Sequence, residues 1–515
     1  MMNSDRKLPP IIGKLTDEKG GLADQTVIGG RSSCDFESQN PINNSQTNST
    51  YTPTIIPGFP DFWTGPRLDL QESNPLFKDQ ASAIRSLDND KKERIKLFHQ
   101  RLQSIPADVE SYSDPNRRTR IPFAYPGNIR HPTFDIDTRD FTFEFMGREE
   151  FSRIFSEIET LINGSGGKHY FINATYGWGK SYVLAALAAL LLKQGKSVVY
   201  ISHCAEFIIR GLDYLRTCFF MAYARHEKDL QRVVDLKSYQ DISNFVQQEQ
   251  TVGKRLIFVI DQMECFDLDC PDIHPLFKKQ TVERGQMLFD IIYDHALVVG
   301  SSANAHMFQP AHLGLRRNCP MNGRFYANGL STAEVAAWWN HYENQRKLPK
   351  LLTYPLNGSD LKTDDVNLRR KEIEYITGSN FDLLNCVLAL ASPQTPANEP
   401  KDWALFKSLF VKQPKFNAIR LLMTEFYCEI AREPEENKRM YFTIVHGCLT
   451  KKIIRDYNPK LVDWRFMSID REGQASCSSG FVASCISELI RINHPDPGNF
   501  CSKENYDAIR TFGLS

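Results

Sequence analysis

Residues 171–192 constrain this chain more than any other stretch. The run Phe171-Ile172-Asn173 leads into the octet Ala174-Thr175-Tyr176-Gly177-Trp178-Gly179-Lys180-Ser181, after which a strongly apolar pattern continues to Leu192. That order reads as a buried strand, a tight turn and a helix. The octet matches the GxxxxGK(S/T) pattern with alanine in the first glycine position. Gly177 and Gly179 can adopt positive φ and turn backbone N–H groups inward toward an anion, while the N-terminus of the following helix adds its dipole. Lys180 is placed to meet β and γ phosphates, and the Ser181 hydroxyl to ligate Mg2+. Ala174 to Ser181 is therefore the candidate nucleotide-binding loop.

A phosphate loop of this kind needs further parallel strands beside it, and the sequence supplies them. Residues 197–202 form a second apolar run, and helical patterning follows over 205–250. Arg255-Leu256-Ile257-Phe258-Val259-Ile260-Asp261 is a continuous apolar segment ending in a carboxylate, as a buried parallel strand presents one at its C-terminal edge. Asp261 would hold Mg2+ through water. Residues 296–304 read as the next strand, tipped by Ser301 and Asn304, which are placed either to sense a γ-phosphate or simply to cap the strand end. Residues 324–328 read as the fifth.

The flanks are less uniform. Residues 1–60 are rich in Ser, Asn, Gly, Pro and Thr and are expected to form a disordered tail. Within the extension 61–138, a helix is expected over 88–104, with Ile95, Leu97, Phe98 and Leu102 on one face. Lys91-Lys92-Glu93-Arg94 opens it as a solvated surface. Phe151, Ile154, Phe155, Ile158 and Leu161 mark another helix just after Gly147-Arg148-Glu149. Ser331 and Glu334 make a capping box for a helix carrying Trp338 and Trp339. The span 330–392 is mostly helical with a polar loop at 357–365, and 393–402 is a Pro-rich linker. Residues 403–452 are again helical. A strand and turn are expected from 461 to 467, and a helix from 480 to 492.

Composition excludes some functions. Lys and Arg number 62, as do Asp and Glu, so no global basic charge points to nucleic acid. The 12 cysteines form no CxxC pair, which argues against a zinc or disulfide framework. No apolar run reaches the length of a membrane span, and residues 1–10 lack an apolar signal region, so an intracellular protein, cytoplasmic or nuclear, is the expectation.

A hydrophobic residue before Gly147-Arg148-Glu149, followed by an amphipathic helix upstream of the P-loop, resembles the N-terminal segment of STAND and AAA+ ATPases, which lies over the adenine. The resemblance implies Gly147 and Arg148 as nucleotide-binding residues. It also implies that Arg316 or Arg317 could serve as the finger that reaches a neighbouring subunit's nucleotide. Many AAA+ ATPases carry glutamate directly after the strand aspartate, whereas here the order is Asp261-Gln262-Met263-Glu264. This resembles the Asp-Gln-x-Glu form of some STAND proteins and makes Glu264 or Gln262 the candidate water-positioning residue. Gly378-Ser379-Asn380 resembles the Gly-x-Pro turn of a STAND lid, with asparagine in place of proline. Together with 462–467, these segments resemble the P-loop module of Crinkler proteins, modular effectors of oomycetes and fungi. Their secreted-effector route is implied by that resemblance alone, and nothing in 1–60 resembles their ubiquitin-like header.

The expected fold is α/β. It comprises a P-loop NTPase core of AAA+/STAND-like build with a parallel five-stranded sheet (139–329), a helical lid (330–392) and an α-rich, winged-helix-like C-terminal domain (403–515). Two functional readings stand: an ATP- and Mg2+-binding switch with slow hydrolysis, acting on a protein partner or a second copy, or a nucleotide-degenerate module that binds protein or nucleic acid without turnover. A DNA-directed ATPase is disfavoured by the charge balance.

Overall fold

A computed structural model describes residues 89–125, 134–164, 169–223, 227–266, 278–292, 295–302, 322–326, 329–353, 363–391, 402–470, 472–493 and 503–511. All of them belong to the contact unit Pro60–Ser515. The expectations for the tail 1–60, for Asn304, Arg316 and Arg317, and for nearly all of the linker lie outside the described residues.

In chain order the strands are β1 Arg118–Pro122, β2 Thr142–Met146, β3 His169–Ala174, β4 Val198–Ile201, β5 Ile257–Ile260, β6 Leu297–Ser302, β7 Asn322–Tyr326, β8 Met467–Ile469 and β9 Ala475–Cys477. Five of them make the central sheet in the order β4-β5-β6-β3-β7, every pair parallel. The apolar runs account for this, since strands covered on both faces by crossover helices carry no polar side. β6 lies between the P-loop strand β3 and the Asp261 strand β5. Its register sets Ser301 opposite Ile172 and Gly300 opposite Ile260. Asp261, one residue past Ile260, therefore reaches the same sheet edge as Ser301 and the loop after Ala174, where ligands of such sheets bind.

The helix Lys180–Lys193 is buried without interruption from Val183 to Leu192. A helix that is apolar all round needs cover on both sides. One side packs on β3, β4, β5 and β6, and the other meets β1 and the helix Asn89–Leu102. The antiparallel β1–β2 pair was not evident from sequence, because Arg118-Thr119-Arg120-Ile121-Pro122 mixes charge and proline. The patterning over 205–250 resolves into Cys204–Arg210, Leu212–Tyr223, Glu227–Val234 and Tyr239–Thr251.

A second apolar cluster gathers lid and C-terminal helices around Trp338, Phe406, Phe410, Phe416, Phe442 and Phe481. The capping box forms: Glu334 N–H donates to Ser331 Oγ (3.2 Å) and Ser331 N–H to Glu334 Oε2 (2.8 Å). One expectation needs correcting. Strand structure begins only at Met467: Leu461 ends a short 3-10 helix and 464–466 is turn, because the Asp463 carbonyl accepts the amides of Phe466 (2.9 Å) and Met467 (2.7 Å) while its carboxylate accepts the Arg465 amide (3.2 Å).

Candidate phosphate site

Gly177 has φ +75° and Gly179 φ +99°, the left-handed region that side chains resist. Gly179 caps the helix Lys180–Lys193. The Lys180 ammonium folds back onto its own loop, donating to Ala174 O (2.8 Å) and Thr175 O (3.1 Å). Burial pulls its pKa below the ordinary lysine value, opposed by the nearby carboxylates of Glu264, Asp261 and Asp382.

Asp261 is 1% exposed. Its Oδ1 accepts from Ser301 Oγ (2.5 Å) and from the Gln262 amide (3.0 Å), whereas Oδ2 has no hydrogen-bond partner among the described residues. Burial raises the carboxyl pKa, and the Ser181 and Ser301 hydroxyls together with Lys180 counter it. Gln262 takes φ +60°, a strained conformation for a residue with a side chain. The chain then enters a tight helical turn, Met263–Phe266, that carries Glu264. The fold thus brings Lys180, Ser181, Asp261, Glu264 and Ser301 together at one edge, with Gln262 between the two acids.

The loop is also gripped from outside. Arg148, 5% exposed, donates from Nη1 to Trp178 O (2.7 Å) and from Nε to Glu334 Oε1 (2.9 Å), an oxygen that also accepts the Glu149 amide (2.9 Å). Its guanidinium lies 4.4 Å from the centre of the Trp178 ring, which stacks on Tyr326 at 4.6 Å. Arg148 therefore lies against the loop, whereas Gly147 packs on Asp114, so closely that a Cβ would strike its carbonyl. Asn380 donates from Nδ2 to Tyr176 O and touches Gly177. Its Oδ1 caps the next helix by accepting the amides of Asp382 (3.0 Å) and Leu383 (3.2 Å). The Tyr176 amide donates to Arg465 O (2.9 Å), and the Thr175 amide to Tyr326 O (3.2 Å).

Sequence reasoning found neither Glu334, Asn380, Tyr326 nor Arg465 as neighbours of the loop. Asn380 was visible only as a departure from proline, and Glu334 only as a helix cap. Arg465 acts through a backbone carbonyl and leaves no side-chain signal.

The strand order and the loop give the core a P-loop NTPase fold. No protein-family model and no curated protein matches the sequence. Among solved structures, the Walker-type ATPase of Pyrococcus abyssi overlaps with a TM-score of 0.38 at 12% identity, over 65% of this chain and 94% of that one. The Aeropyrum pernix ORC2 protein, in ADPNP and ADP complexes, gives 0.34 at 11%, over 68% and 95%. C. elegans PCH-2 gives 0.29 at 14%, over 52% and 68%. The class of the core rests on its strand order and loop geometry rather than on these loose overlaps. Among the described residues no helix is long and apolar enough to cross a membrane.

Proposed function

We propose that the chain binds ATP with Mg2+ at this edge and works as a slow-turnover switch of the STAND type, signalling to a protein partner or a second copy of itself. The observation that carries the reading is the buried Asp261 carboxylate, whose Oδ2 has no hydrogen-bond partner among the described residues, beside the Ser181 hydroxyl and Lys180. A buried carboxylate oxygen without a donor is costly. A Mg2+ ion and its waters would satisfy it, with Ser181 as the hydroxyl ligand. The donor set fits Mg2+, which takes few protein ligands and completes its shell with water and phosphate oxygens. Held by Ser181 directly and by Asp261 through water, Mg2+ would supply positive charge that offsets the phosphates.

The chain's own residues do the rest. Lys180 exchanges its two loop carbonyls for phosphate oxygens, a stronger partner for an ammonium group. Ser301 and the Gln262 amide keep the Asp261 carboxylate oriented. Slow turnover follows from Gln262 standing next to Asp261, which leaves Glu264, one turn further on, to orient water. The resemblance to the STAND and Crinkler module supports a switch rather than a motor. The alternative, a nucleotide-degenerate module that binds protein or nucleic acid without turnover, draws on Gln262 in place of glutamate and on the loop aromatics Tyr176 and Trp178, of which Trp178 is buried, 3% exposed, against Tyr326 and Arg148.

Calorimetric titration of ATP–Mg2+ into the parent and Lys180→Ala proteins tests the reading. Binding by the parent and its loss in the variant are expected, and equal affinity in the two refutes it. Turnover on the same preparations, with Glu264→Gln, assigns the water-orienting residue: a parental rate removes Glu264.

A further inference from the structure

The peptide planes of the phosphate loop are set from outside. In a trans peptide the C=O of one residue and the N–H of the next point in opposite directions. Two planes show the rule at work. The Thr175 amide is held by Tyr326 O while the paired Ala174 C=O faces Lys180 (2.8 Å). The Tyr176 amide is held by Arg465 O while the paired Thr175 C=O faces Lys180 (3.1 Å). Two further planes are held by the opposite end. Asn380 takes the Tyr176 C=O, so the Gly177 N–H turns away from Asn380. Arg148 takes the Trp178 C=O, so the Gly179 N–H turns away from Arg148. Neither of those glycine N–H groups has a hydrogen-bond partner among the described residues. Two unsatisfied donors aimed away from their anchors make the shape that an anion fills.

We propose that Asn380 and Arg148, the latter held by Glu334, are positioning residues that aim the Gly177 and Gly179 amides at the bound phosphates without touching the nucleotide. The inference rests on the ATP-binding reading above. It assigns a role to segments far from the loop in sequence. The lid turn carries Asn380, and the first lid helix carries Glu334, whose Oε1 accepts from Arg148 at 2.9 Å. Preorganised donors bind better because less ordering is needed on binding.

The test uses the full chain with Asn380→Ser, which keeps a helix-capping oxygen but lacks the reach of the amide donor, and Arg148→Lys, which keeps the charge opposite Glu334 but not the second arm to Trp178. The probes are ATP–Mg2+ and inorganic tripolyphosphate, each titrated calorimetrically, with the thermal midpoint measured in parallel. In both variants affinity for both probes is expected to fall about tenfold, with the Asn380→Ser midpoint within a few degrees of the parent. Unchanged affinity in a folded variant overturns the proposal. So does a loss confined to ATP, because that would place the side chain against the nucleoside. Should Asn380→Ser fail to fold, Arg148→Lys alone decides by the same criteria. A parent that binds neither probe refutes the ATP reading and the inference together. A parent that binds both, with variants that bind equally well, refutes the inference alone.

Discussion

The buried pair of Arg148 and Glu334 offers the sharpest separation of stability from binding. Both side chains are nearly sealed from solvent, at 6% and 3% exposure, and Nε and Oε1 lie 2.9 Å apart. In Glu334→Gln the volume and one carbonyl oxygen remain, but the Arg148 charge is left buried without a counter-charge. Breaking one side of a buried pair costs about 3–5 kcal/mol. In the double variant Arg148→Met with Glu334→Gln no charge is buried, and the remaining loss is the bond to Trp178 O and the guanidinium–indole contact, roughly 2 kcal/mol together. The double variant is therefore expected to be more stable than Glu334→Gln, by about 1–3 kcal/mol. Phosphate affinity should stay low in it, because nothing holds the Trp178 carbonyl. Denaturant midpoints for parent, both singles and the double close the cycle, and titration with ATP–Mg2+ gives the binding half. A Glu334→Gln protein within about 1 kcal/mol of the parent, or a double variant weaker than either single, would show that the pair is not the buried, mutually dependent unit described.

Two further outcomes are expected. Gly177→Ala forces a side chain into φ +75° and into the Asn380 amide. It should cost about 1–2 kcal/mol from backbone strain and weaken ATP binding in the same titration, whereas parental affinity would contradict the loop geometry. His203 sits at the edge of β4 with its pKa pulled down to about 4 by burial. Its folded value lies below the unfolded one, so the unfolded chain takes up the proton first, and stability should fall as pH drops from about 6.5 toward 4 by on the order of 1–3 kcal/mol. A His203→Gln variant should flatten that slope in thermal melts, and an unaltered slope would assign it to other groups.

The loop, the parallel strands and the strand-end acid were readable in the sequence because each is a local pattern. Two glycines at fixed offsets, apolar runs of strand length, and a carboxylate closing one of them all declare themselves within a few residues. The even burial of 183–192 followed from the same run, although its cover, the Asn89–Leu102 helix and β1, did not. β1 is an arginine-rich segment ending in proline and satisfies no strand template. The grip on the loop was harder still. Trp178 owes its place on the loop to Tyr326 and Arg148, which both pack on its ring. Asn380 looked like a weakened match until its amide was found on the Tyr176 carbonyl. Such contacts join residues far apart along the chain, so periodicity cannot reveal them. Over 461–467, where strand and turn are expected, Asp463 bends the backbone through its own hydrogen bonds and the strand starts only at Met467.

The second apolar cluster bears on how the molecule can move. Trp338 of the first lid helix and Phe481 of the penultimate described helix belong to one continuous core, so among the described residues the lid shows no hydrophobic interior separate from it. A flap with a private core can swing on two hinges. Here any displacement of Asn380 from the phosphate loop must either carry the whole helical half as one body or open a packed interior, at a cost of several kcal/mol for each large side chain uncovered. The helical half would then move as one piece whose direct bonds to the phosphate loop are the Asn380 amide and the Arg465 carbonyl, both on Tyr176, and its far surface is where a change at the loop would be felt.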